Sequence, residues 1–268
     1  MIIDFHTHVF PESIADATVK KLEESSGIKA FTNGTLCGLT SSMRENAVDI
    51  SVVLPVVTKP SQFESVNHYA KKITEKEGII SFGGIHPDSN NYKEELNQIK
   101  RMGLLGIKLH PDYQNTFIND VKMIRLIQYA VEIGLIVVIH AGLDIGLPNP
   151  VHCTPKLTKD LLHKISIGEG KIILAHMGGY DMWDDVEKYL VGEEIWMDTS
   201  YSLNKMEQEQ LLRIVKDHGS NRILFGTDSP WDGQKEGLAA LNKLGLTKEQ
   251  HDLILGGNAM QILGLKNR

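Results

Sequence analysis

Two histidines two positions apart are the first residues in this sequence able to do chemistry. In Ile2-Ile3-Asp4-Phe5-His6-Thr7-His8 the β-branched apolar residues predict a strand, and a strand sends positions i and i+2 to the same face. Two imidazole nitrogens converging there can hold a metal: zinc takes neutral imidazole at about 2.0–2.1 Å, and a strand fixes a ligand more rigidly than a loop does. Asp4 is expected on that face too, one pleat further down, where its carboxylate would orient a ligating imidazole. A His-x-His alone fits equally well a strand with two exposed histidines. The rest of the chain favours the metal. Lys108, His110, His140, His176 and Asp228 each stand at the end of an apolar, β-branched run, whereas His68, His163, His218 and His251 read as solvated or helix-face histidines.

Those runs belong to a repeating unit of short apolar strand, polar turn and segment of helical period. Strands are predicted over 2–5, 50–56, 79–85, 104–109, 135–140, 171–176, 194–198 and 222–228. Helices are predicted over 12–24, 61–76, 92–102, 119–133, 156–167, 182–190, 205–218 and 233–244. Gly27, Gly78, Gly103, Gly134, Gly192 and Gly219 follow predicted helices, where a left-handed residue commonly ends one. Ile136-Val137-Val138-Ile139 and Ile172-Ile173-Leu174 are apolar throughout, as strands covered on both faces are. Eight such units, with no glycine-rich phosphate fingerprint after the first strand, predict an α/β fold: a single (β/α)8 barrel rather than an open doubly wound sheet. In such a barrel the site lies at the carboxyl ends of the strands, and all the strand-end candidates fall there. The connection after Gly27 has room for a short helix after Ser41 or Ser42, and 247–265 reads as one or two extra C-terminal helices. With no linker or break in composition, one domain over 1–268 is expected.

Length and composition agree and exclude several classes. The 268 residues match the roughly 250 of one barrel. An apolar fraction of 41% and a charged fraction of 23% supply an ordinary core. A net charge of −6 with scattered Lys and Arg gives no basic face for nucleic acid, and an acidic substrate would need locally placed cations. Cys37 and Cys153 form no disulfide framework or clustered zinc pattern, so a reducing cytoplasm is expected. No run approaches the roughly 18 apolar residues of a membrane span, and no signal peptide is expected ahead of the first strand.

The pattern resembles the amidohydrolase superfamily, and within it the amidohydrolase-related branch that contains 2-amino-3-carboxymuconate 6-semialdehyde decarboxylase and its relatives. The resemblance rests on Asp4-Phe5-His6-Thr7-His8, Gly106-Ile107-Lys108-Leu109-His110-Pro111, Ile139-His140-Ala141-Gly142, Leu174-Ala175-His176-Met177-Gly178-Gly179, Phe225-Gly226-Thr227-Asp228-Ser229-Pro230 and the closing Gly257-Asn258-Ala259. It implies a divalent metal, zinc foremost, in one of two arrangements. With one ion, His6, His8, His140 and Asp228 bind it and His176 stays free as acid and base. With two, a carboxylated Lys108 bridges while His140 and His176 hold the second ion. Lys108 as a plain cation binding a substrate carboxylate or a neighbouring acid is the alternative to bridging. A homo-oligomer is expected too, since barrels of this branch commonly self-associate.

The metal would set the chemistry. Bound zinc lowers the pKa of water toward about 7 and polarises a carbonyl oxygen. Asp228 is expected to orient the water and take its proton, and His176 to protonate a leaving group. The expected reaction is hydrolysis of an amide, lactone or ester of a small molecule. A nonoxidative carboxy-lyase using the same ligands is the alternative. A TatD-like nuclease would want a glutamate where Lys108 stands, and a noncatalytic metal sensor is opposed by the intact acid/base residues. His86, His110, Tyr113, His152, Tyr201 and Trp231 are candidate substrate contacts, each open to a packing role instead. The long 141–155 connection reads as a lid or specificity loop. Cys153 and Ser229 lack the surroundings of a nucleophile.

Overall fold

The computed structural model describes residues 1–147 and 149–265. Eight short parallel strands form the barrel wall: β1 (Ile3–Thr7), β2 (Ile50–Val53), β3 (Ile79–Ser81, continued by Gly83–Gly84), β4 (Gly106–Leu109), β5 (Ile136–Ile139), β6 (Lys171–Leu174), β7 (Trp196–Asp198) and β8 (Ile223–Leu224). Each pairs with the next, and the two pieces of β3 are joined through Phe82, whose N–H donates to Val53 O at 2.9 Å. The cylinder closes where Phe5 N donates to Phe225 O (2.8 Å), Asp228 N to His6 O (2.8 Å) and His8 N to Ser229 O (2.6 Å). Strand one thus lies beside the segment carrying Asp228.

Between strands run α1 (Glu12–Ser26), α2 (Leu36–Glu45), α3 (Phe63–Ile73), α4 (Tyr92–Arg101), α5 (Val121–Glu132), α6 (Pro155–Leu162), α7 (Trp183–Tyr189), α8 (Gln208–His218) and α9 (Gln234–Lys243). The extra helix α2 begins before the Ser41 and Ser42 expectation, because the Thr35 hydroxyl caps it by accepting from Gly38 N at 3.0 Å. After α9, α10 (Lys248–Asp252), a π turn and α11 (Asn258–Leu263) form the C-terminal extension. Ala259 and Leu263 of α11 pack with Ile3, Phe5, Val52, Val138, Ile173 and Leu224, sealing one end of the barrel with apolar side chains. No helix among the described residues is long and apolar enough to cross a membrane.

Five strands, β2, β3, β5, β6 and β8, stop short of their predicted ends, while β1 runs two residues past its own and β4 and β7 end where expected. His176 (φ 59°), Tyr201 (φ 50°) and Asp228 (φ 73°) take left-handed backbone conformations that an extended ladder cannot contain. Non-glycine residues held there are strained, and such strain collects where side chains must be aimed.

Candidate metal centre and cleft

Side chains from β1 and the β8 loop meet at the carboxyl end of the barrel. His6 Nε2 lies 3.2 Å from His8 Nε2 and 3.4 Å from Asp228 Oδ1, and His8 Nε2 lies 3.0 Å from the same oxygen. The remaining ring nitrogens fix the tautomers. His6 Nδ1 is 2.8 Å from Asp198 Oδ2 and His8 Nδ1 is 2.9 Å from Leu54 O. Both partners only accept, so each Nδ1 carries the hydrogen and each Nε2 presents a lone pair. Two lone pairs and a carboxylate oxygen facing one another repel unless a cation or a proton lies among them, which is the donor set a divalent metal requires.

Charge around this point is held in defined states. Burial lowers the His6 pKa to about 3, helped by the Lys108 ammonium, so the ring is neutral. Burial works against the Asp228 carboxylate, yet the imidazoles around it, His8 first and then His6 and His176, keep the pKa at about 2. Burial likewise opposes ionisation of Asp198, but His6 and Ser200 hold its carboxyl below the usual range. Asp198 also accepts from the backbone N–H groups of His176 (3.1 Å) and Ser200 (3.0 Å) and from the Ser200 hydroxyl. Lys108 is buried with Nζ 3.0 Å from His6 Nε2, and burial lowers its pKa to about 8 against the pull of Asp198 and Asp228.

A second chain of contacts leads from His176 to His140. His176 Nδ1 lies 3.0 Å from Ser200 O, so its Nε2 accepts from His140 Nδ1 at 3.0 Å. His140 Nε2 is then left with a lone pair, buried and without any hydrogen-bond partner. Burial holds the His140 pKa well below its ordinary value, so the ring is neutral. His140 stacks on His110 with centroids 4.0 Å apart and planes 12° from parallel. His110, His140 and Asp144 offer ligand atoms within 4.8 Å of one another, but lone pairs of stacked rings lie in parallel planes and do not converge on one ion. His110 instead donates from Nε2 to Asp144 Oδ2 at 3.2 Å.

Of the expected ligands, His6, His8 and Asp228 form one cluster, Lys108 abuts it at His6, and His140 is joined to His176 rather than to the three. Asp4 does not orient an imidazole. Strand β1 changes register against β2 between Asp4 and Thr7, which breaks the alternation that would keep Asp4 and His6 on one face. Asp4 accepts instead from Thr227 N (2.9 Å), Thr227 Oγ1 (2.7 Å) and Gln234 Nε2 (2.9 Å), and burial raises its pKa to about 6. The orienting carboxylate is Asp198, which sequence reasoning passed over although it ends the predicted 194–198 strand.

The centre opens into a cleft of about 520 Å3, counted out to solvent, within the range of small-ligand sites. Tyr113, Tyr201 and Trp231 line it with His140, His176 and Asp228. Tyr180 and Asp144, not foreseen, line it too. His86 and His152 do not. His86 Nδ1 accepts from Asp88 N at 3.1 Å, and His152 Nδ1 is paired with Asp112 Oδ1 at 2.9 Å. His110 lies behind Asp144 as its hydrogen-bond donor. The 141–155 connection is thus tied to the β4 loop by His110–Asp144 and His152–Asp112, and to the β6 loop where Leu143 N donates to Tyr180 O at 3.0 Å. Gly142 (φ +84°) permits that last approach, since a Cβ there would lie 2.1 Å from Tyr180 N.

The fold and cleft define an enzyme class, the (β/α)8 barrels with a histidine and aspartate cluster at the strand ends. The amidohydrolase family's sequence profile matches residues 3–265, and the chain belongs to that family. No curated protein matches the sequence. Its fold is similar to that of an uncharacterized TIM-barrel protein from Bordetella bronchiseptica (TM-score 0.77, 16% identity, covering 98% of each chain). It is also similar to a probable 2-pyrone-4,6-dicarboxylic acid hydrolase from Acinetobacter baumannii, solved with citric acid bound (TM-score 0.71, 16% identity, covering 98% of this chain and 99% of the other). A third similar structure is a dihydroxybenzoic acid decarboxylase from Polaromonas, solved with manganese and 2-nitroresorcinol (TM-score 0.71, 14% identity, covering 100% and 98%).

Proposed function

We propose that the chain is a metal-dependent hydrolase acting as one catalytic domain over residues 1–268, with a single divalent ion, zinc foremost, held by His6, His8 and Asp228. The observation carrying this reading is the meeting of two Nε2 lone pairs and the Asp228 carboxylate at one point. The manganese in the Polaromonas decarboxylase supports a metal on this barrel. One ion is favoured over two because both His176 nitrogens are engaged, by Ser200 O and by His140, which leaves no second pair of free ligands. In this reading Lys108 stays unmodified and, with its lowered pKa, gives up its proton when the ion binds.

A divalent ion there supplies Lewis acidity toward a carbonyl oxygen and makes water acidic enough to attack near neutral pH. Asp228, ionised and lining the cleft, takes the proton of the attacking water. His176, held in orientation by Ser200, lines the cleft and delivers a proton from Nε2 to the leaving nitrogen or oxygen, a step that requires Nε2 to be protonated and to leave its contact with His140. Asp198 keeps His6 in its ligating tautomer and holds the backbone of His176. The free thiols of Cys37 and Cys153 fit a reducing cytoplasm.

The carboxy-lyase is the second reading, supported by the fold similarity to the Polaromonas decarboxylase. A panel of amides, lactones, esters and unsaturated or aromatic carboxylates, scored separately for hydrolysis products and for CO2, tests the choice. Hydrolysis without CO2 is expected. Release of CO2 alone would overturn the hydrolase in favour of the lyase.

A further inference from the structure

From the lining of the cleft we infer that the substrate carries an amine, held as its ammonium against Asp144, and not a free carboxylate. The inference rests on the hydrolase reading for the reaction but not for the binding. Among the described residues no lysine or arginine lines the cleft. Lys108 lies beneath it with Nζ on His6 Nε2, and Lys205 is exposed, with Nζ over the Tyr201 ring at 5.1 Å. A substrate carboxylate outside the metal therefore meets no cation, and it meets two carboxylates, Asp228 and Asp144.

Asp144 is placed to be met by a positive group. Its Oδ2 accepts from His110 Nε2 at 3.2 Å and its Oδ1 from Gly146 N at 2.8 Å, both neutral donors that position the carboxylate without cancelling its charge. His110 Nδ1 accepts from Tyr113 N at 3.3 Å, which leaves the ring with its one hydrogen on the nitrogen facing Asp144. Tyr113, Tyr180, Tyr201 and Trp231 line the same cleft. Aromatic faces attract an ammonium through their quadrupole and repel a carboxylate, so the wall and Asp144 select the same charge. The buried, unpartnered His140 Nε2 in the same lining presents an acceptor as well. The acidic residues of this lining, with no lysine or arginine beside them among the described residues, favour a cationic ligand over an anionic one.

Three probes of one skeleton test this by calorimetry: benzylammonium, benzyl alcohol and benzoate, each on the protein as purified and again after chelator treatment, which removes coordination of benzoate to metal. Benzylammonium is expected to bind chelated protein at least about tenfold more tightly than benzoate, and Asp144→Asn to reduce its advantage over benzyl alcohol by about tenfold. Asp144→Glu keeps part of that advantage. The ratio to benzyl alcohol reports on charge recognition even in a variant that folds less well. No measurable benzylammonium binding, benzoate the tightest ligand of chelated protein, or an Asp144→Asn ratio equal to that of the unaltered protein would each overturn the inference. Loss of the hydrolase or metal reading leaves this ranking in place, so the two failures are distinguishable.

Discussion

Asp198 Oδ2 lies 2.8 Å from His6 Nδ1, joining the seventh strand to the first although no ladder connects them. A carboxylate on the far nitrogen of a ligating imidazole fixes its tautomer and raises its basicity, and loss of such a partner typically costs about 10–100-fold in metal affinity. Asp198→Asn is expected to weaken metal binding within that range in a competition titration while leaving His8 and Asp228 in place. Unaltered affinity would show that His6 needs no orienting carboxylate.

Lys108 gives a prediction of opposite sign for the two metal arrangements. With one ion, the ammonium 3.0 Å from His6 Nε2 opposes the ion, so Lys108→Met should raise metal affinity by about tenfold while keeping the stoichiometry at one. A bridging carboxylated lysine predicts the reverse, with fewer equivalents bound and a carbamate signal from isotope-labelled bicarbonate in the unaltered protein. Metal content and carbon NMR read the two outcomes.

His218 links stability to pH away from the cleft. It is buried, its Nε2 lies 3.0 Å from Ile195 O, its Nδ1 accepts from Gly192 N at 3.3 Å, and burial lowers its pKa from 6.5 to about 4. The unfolded chain takes up this proton below pH 6.5 and the folded chain holds out until about 4. The contribution is therefore complete above pH 6.5 and is lost as pH falls through that window, on the order of 3 kcal/mol in all. Denaturant unfolding at pH 7 and pH 5 should show a smaller loss for His218→Gln than for the unaltered chain. Equal losses would contradict it.

Gly226 packs against the ligand strand, where a Cβ would lie 2.9 Å from His6 Cβ. Gly226→Ala should displace His6 and weaken metal binding more than it lowers the melting temperature, as competition titration beside thermal unfolding would show. Unaltered metal affinity would contradict that account.

The sequence carried the barrel and the strand-end positions of His6, His8, Lys108, His140, His176 and Asp228, because apolar strands of period two and terminal polar residues are local signals. Asp4 was misplaced because a register shift inside β1 is decided by its pairing with β2, not by its own alternation. Asp198 depends on which strands face each other across the barrel. Asp144 and Tyr180 depend on how the loops after β5 and β6 dock, a matter of tertiary contact. Those residues shape what the cleft binds, which is why substrate class was the least legible property.

Metal content tests the central claim most directly. Elemental analysis of the purified protein beside a His6→Ala/His8→Ala variant of matching circular dichroism should find close to one equivalent of a transition metal per chain in the first and almost none in the second. An equal content in both, or none in either after incubation with zinc or manganese, would contradict it.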